Sequence, residues 1–226
     1  MSDAIGPCQF HFRDGFCGFF GLATEAGRRI LPAGLEPVEH CHGQSVLAVV
    51  AFDFHGGQVG PYRELVLAIQ VAPRLFPGHP VPHLAMFPFL LGTTTEPARD
   101  HGIRQYHLPH YRRDIQVHIE RSGEGIAASA SDESPIVELR VTKGGGAPWR
   151  TVHRRYQLFV MDGASLCVSE VVMSGELIEH EEEGGALDLF PHDFTASLAG
   201  VEVTLRPIME QWMRNGTEAF HPPRPT

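Results

Sequence analysis

QSVLAVVAFDFHGGQVGPYRELVLAIQV, residues 44–71, decides the fold class of this chain. Gln44–Phe54 is rich in Val, Ala and Phe and reads as a strand, closed by His55-Gly56-Gly57. Gly60-Pro61-Tyr62 introduces a second apolar strand, Glu64–Val71, and His83–Leu91 follows as a third. Further out, Ile115–Ile119, Gly125–Ala130 and Ile136–Val141 predict an antiparallel meander. Tyr156–Met161 and Ser165–Met173 flank Asp162-Gly163, a strong hairpin signal. Val201–Leu205 reads as a short strand.

Helices are few. Thr94-Thr95-Glu96-Pro97 offers a hydroxyl cap, an acid and a first-turn proline, predicting a helix to about Gln105. Thr24–Leu31 reads as a short helix with a capping threonine, ended by Pro32, and Met209–Met213 as the start of a last one. The sum is an α+β, β-rich chain: a bent antiparallel sheet or barrel with two or three helices, one domain over residues 1–226.

Bulk properties exclude several function classes. The 226 residues carry a formal net charge of -9, so a phosphate backbone is repelled and nucleic acid is not an expected partner. No apolar run approaches the roughly 20 residues of a membrane span, and MSDAIGPCQF lacks the pattern of a signal peptide, so a cytoplasmic protein is expected. Cys8, Cys17, Cys41 and Cys167 form no CxxC pair and read as free thiols. Fourteen histidines invite a metal reading. Yet His40-Cys41-His42, His79 with His83, and His107 with His110 lack the spacing of a closed zinc motif, so no metal and no cofactor is expected. His180-Glu181-Glu182-Glu183 reads as a solvated acidic turn. Lys143 is the only lysine, and it sits in Lys143-Gly144-Gly145-Gly146, a turn between strands.

Three blocks in order resemble the acetoacetate decarboxylase-like family: Gly6–Arg13 with the following Leu31–Pro37, Gly60–Glu64, and Gly102–Tyr111. Asp162-Gly163 and Leu187-Asp188-Leu189 agree downstream, so the resemblance spans nearly the whole chain. It implies a barrel-like fold, a homo-oligomer and a pocket for a small carbonyl- or carboxylate-bearing molecule. In the family, a lysine after the proline of the third block forms a Schiff base with a β-keto acid; here His110 stands at that place and Tyr111 at its neighbour. Imidazole forms no iminium. The resemblance further implies that Arg13 meets a substrate carboxylate and that Glu64 sits near the reacting group. An acid expected some fifteen positions before Glu64 is replaced, on an ungapped count, by Val49.

The site expected from these residues has His110, Glu64 and Arg13 as catalytic groups, with Arg104, Tyr62 and Tyr111 binding substrate. Each has a plainer alternative: Arg13 in an ion pair, Glu64 at a rim, His110 as a neutral filler. The implied activity is lyase- or hydrolase-type proton transfer by His110 and Glu64 without Schiff-base chemistry. The alternative is a non-catalytic member that binds a small acid.

Overall fold

A computed structural model describes residues 6–226 of the protein. Residues 1–5, part of the segment from which the lack of a leader was read, lie outside it. The elements run β1 (Cys8–Ala23), α1 (Thr24–Ile30), β2 (Glu39–Cys41), β3 (Gln44–Gly56), β4 (Tyr62–Val71), β5 (Leu84–Thr93) and α2 (Glu96–Tyr106). They continue with β6 (Gln116–Arg121), β7 (Gly125–Ser131), β8 (Pro135–Thr142), β9 (Arg150–Asp162), β10 (Ser165–His180) and β11 (Ala186–Leu189). A 3₁₀ turn (Asp193–Leu198), β12 (Met209–Phe220) and β13 (Arg224–Pro225) complete the chain.

Seven strands close into a barrel in the order β1-β12-β10-β9-β5-β4-β3, with β3 returning to β1. Every pairing in the ring is antiparallel except β5 with β9, where Leu84 stands beside Tyr156. Between those two strands the chain inserts α2 and the β6-β7-β8 meander, which β11 joins as a separate four-stranded sheet. That sheet covers one wall of the barrel.

The covering explains residues 44–71. On β3, Leu47, Val49 and Ala51 pack in the seam between the sheets, while Val46, Ala48 and Val50 face the barrel interior. On β4, Leu65, Leu67 and Ile69 take the seam, and Glu64, Val66 and Ala68 line the interior. Strands buried on both faces read as continuous apolar runs rather than alternation.

Three expectations are corrected. Met209–Met213 is not a helix but the start of β12, which pairs with β1 and β10 and closes the barrel. Its Glu210 and Gln211 resemble a helix's polar face, yet both are buried. Val201–Leu205 forms no strand; only Val203 makes an isolated bridge, to Leu22. The threonine caps also fail. Ala23, not Thr24, is the N-cap of α1, and Thr95 caps α2 without a side-chain bond. The Oγ1 atoms of Thr24 and Thr95 are buried without partners. The meander, the Asp162-Gly163 hairpin and the helix from Glu96 stand as expected.

Candidate active site

The C-terminus of α2 shapes the site. His107 takes the left-handed conformation, and the N–H groups of His107 and Leu108 bond back to Ile103 and Gly102. The chain then lies along β5: Leu91 N–H donates to the Pro109 carbonyl and Tyr111 N–H to that of Leu91. This places the His110 ring beneath α2, against Gly102. A Cβ there would fall 2.2 Å from His110 Nε2, so only glycine lets the helix sit this close.

Two neighbouring cavities meet at this end of the barrel. The larger, about 110 Å³, fills the barrel interior; its walls are chiefly apolar and include Val66, Leu158 and Met173. The smaller, about 30 Å³, lies under α2 and is lined by Tyr62, His101, Tyr106 and His110 among others. Glu64 of β4 and Glu218 of β12 line both. Among the described residues neither carboxyl has a hydrogen-bond partner, and Glu218 is only 6% exposed.

The electrostatics follow from that placement. Burial, and then the charge of Glu218, push the Glu64 carboxyl up to about 8. Burial pushes Glu218 up to about 7. Tyr62 is raised by burial and then by the nearby Glu64 and Glu218, and Tyr106 is raised chiefly by burial, so both phenols stay neutral. His110 is pushed down to about 4, first by burial and then by the Arg99 charge. Burial also lowers His101. Nδ1 of His110 and Nε2 of His101 are buried without partners. The arrangement is two neutral imidazoles and two neutral phenols around a carboxyl pair able to trade one proton.

The sequence-predicted residues divide. Glu64, His110 and Tyr62 come together at the two cavities. Arg13, Arg104 and Tyr111 line neither. Arg13 falls at a bulge in the β1–β3 register, 59% exposed, with its guanidinium 3.4 Å from Asp53, so the ion-pair alternative describes it. Arg104 is exposed and pairs with Asp100 one helical turn earlier, at 2.9 Å. Tyr111 is buried on the seam side, its ring 5.4 Å from that of Phe194. Val49 also faces the seam, so an acid at that position would not reach the cavity. Lys143 Nζ donates to the Gly123 carbonyl and is part of neither lining. Among the described residues no three His, Cys, Asp or Glu side chains are grouped to hold a metal, and no helix is long and apolar enough to cross a membrane.

Sequence reasoning missed Glu218, His101 and Tyr106, and at the far end of the cavity Tyr156 and Gln211. For Glu218 a signal existed: Glu218 and Phe220 alternate, and a strand would put them on one face.

The barrel, its covering sheet and the helix over its end have counterparts in solved structures. A Legionella pneumophila acetoacetate decarboxylase superposes with a TM-score of 0.71 over 98% of this chain and 87% of that one, at 12% identity. The chain has the acetoacetate decarboxylase-like fold. A second acetoacetate decarboxylase structure gives 0.70, covering 98% of this chain and 90% of that chain at 16% identity. The enduracididine biosynthesis enzyme MppR, complexed with pyruvate, gives 0.62 over 97% and 90% at 14%. No family model and no curated protein matches the sequence.

Proposed function

We propose that this acetoacetate decarboxylase-like barrel is an enzyme that moves a proton on a small carbonyl compound, using Glu64 and Glu218 and no Schiff base. One observation carries the proposal: two carboxyls, neither with a hydrogen-bond partner among the described residues, face a single apolar cavity, and burial raises the proton affinity of both. Glu64, in its protonated form, donates a hydrogen bond to the carbonyl oxygen. Glu218 as carboxylate takes the proton from the adjacent carbon. The C–H pair becomes the enol C=C, and the Glu64 proton passes to oxygen. Reversal returns the ketone and restores both carboxyls. His110 and Tyr62 remain neutral and line the small cavity beside the pair. Schiff-base chemistry finds no support here, since among the described residues no lysine lines either cavity.

MppR, which shares the fold, was solved with pyruvate, and this supports the ketone part of the ligand class alone. The homo-oligomer implied by the resemblance is part of the proposal and is read by light scattering. The test is exchange of α-hydrogens of simple ketones in deuterium oxide, followed by proton NMR. Saturable exchange is expected in the wild type, with loss in Glu64→Gln and Glu218→Gln. Binding without exchange across a broad ketone panel would leave only a binding protein.

A further inference from the structure

We infer that the barrel cavity takes an uncharged, mainly apolar carbonyl compound and turns away carboxylates. The inference rests on the proton-transfer reading for the word carbonyl, but the charge selection stands on the cavity itself. Among the described residues, no Arg, Lys or His side chain lines the main cavity; its ionisable groups are Glu64, Glu218, Tyr156 and Cys17, all acids. Glu218 is buried, unpartnered and lines the cavity.

Two guanidiniums lie near the cavities without lining them, Arg154 beside Tyr156, and both are committed to acids. Arg99, whose charge acts on His110, is held by Asp114 and by Glu96. Arg154 grips Glu179 with both nitrogens, at 2.6 and 2.7 Å, and meets His83 at 2.8 Å. The two arginines once expected to anchor a carboxylate, Arg13 and Arg104, are outside. A carboxylate entering the barrel would therefore lose its hydration and meet two acids with no cation in return.

An uncharged ketone loses little on entry. Its oxygen accepts from protonated Glu64, and its hydrocarbon lies along Val66, Met86, Leu158 and Met173. A cavity of about 110 Å³ compares with the ~150 Å³ that holds benzene, so a ligand of about six non-hydrogen atoms is the right size.

The experiment titrates the wild-type protein at pH 7.5 with three probes of similar size: pentan-2-one, pyruvate and pentan-2-amine. Protein-observed NMR and calorimetry report binding. Pentan-2-one is expected to bind at least about tenfold more tightly than pyruvate, the scale of a like-charge penalty in a partly screened site. Equal or tighter binding of pyruvate overturns the inference. So does tightest binding of the amine, which would make the carboxyl pair a cation site, and so does binding of none of the three. In Glu218→Gln the ketone-to-pyruvate ratio should narrow at least about threefold; an unchanged ratio in a folded variant removes charge as the cause. Deuterium exchange into pentan-2-one is read separately. Selective binding without exchange removes the proton-transfer reading and leaves the selection. Exchange without selection does the reverse.

Discussion

β12 carries two buried glutamates, and they live in opposite circumstances. Glu210, fully buried, accepts from the backbone N–H groups of Thr142, Gly184 and Gly185, at 2.6 to 3.0 Å, and from the Thr142 hydroxyl. Asp14 of β1 is similar: Trp212 Nε1 and Arg121 Nε both donate to it at 2.8 Å. These acids fix the acidic 181–185 turn and the covering sheet to the barrel. Glu218, eight residues after Glu210, and Glu64 across the cavity have no such donors. A buried acid with every lone pair occupied holds a structure together. A buried acid with none raises the energy of the fold.

The largest effect that could break this contrast is on turnover. Glu218→Gln should reduce ketone exchange by about 10²- to 10⁴-fold, the range for a lost general base or acid. The same variant should melt no lower than wild type, because an amide replaces a carboxyl whose burial was unfavourable. A large drop in Tm would mean that Glu218 is structural like Glu210.

Glu210→Ala should do the opposite. It leaves backbone donors of Thr142, Gly184 and Gly185 without a partner, at a cost of about 3 kcal/mol or more in stability, measured by urea unfolding. Turnover per folded molecule should stay within a few-fold of wild type.

The contrast also has a pH signature. Glu64 and Glu218 bind protons more tightly folded than unfolded, since their folded values of about 8 and about 7 exceed the ordinary carboxylate value of 4.5. Between about 4.5 and about 7 the unfolded chain therefore holds fewer protons than the folded one, and stability falls as pH rises. The slope is at most about 1.4 kcal/mol per pH unit for each carboxyl. The Glu64→Gln and Glu218→Gln variants should each flatten the curve, as followed by chemical unfolding at a series of pH values. A curve parallel to that of wild type would show the carboxyls to be solvated.

Much of this was legible in the sequence where burial is simple. β3, β4 and β5 announced themselves because strands covered on both faces are apolar throughout, and Glu64 stood out as the one acid opening such a run. β12 was illegible because its polar residues are buried against partners distant in sequence. Asn215-Gly216 added to this: it looks like a turn, yet Asn215 at φ 51° marks a bulge within a continuing strand. Without β12, Glu218 was not among the expected site residues. Arg13 was misplaced for a different reason. Phe10 and Phe12 are buried, so period-two alternation puts His11 and Arg13 outside.

His110 gives the smallest effect and the finest test. It sits where a Schiff-base lysine was expected and lines the small cavity beside both carboxyls. Burial and Arg99 hold it down at about 4, so across pH 5 to 9 it stays neutral and supplies no charge change. A side chain that does not titrate in the working range can orient Glu64 or Glu218 but cannot set a limb of the pH profile. His110→Gln keeps a hydrogen-bonding group at that place without a titrating ring. It should lower exchange by less than about tenfold, well below the Glu218→Gln loss. The profile of kcat/KM should remain bell-shaped, with limbs near 7 and 8 set by the carboxyl pair. If the variant erased or moved either limb, His110 would be the titrating group, and the division between occupied and unoccupied acids would no longer locate the chemistry. If the limbs stay and only their height changes, the proton belongs to Glu64 and Glu218, and the imidazole positions them.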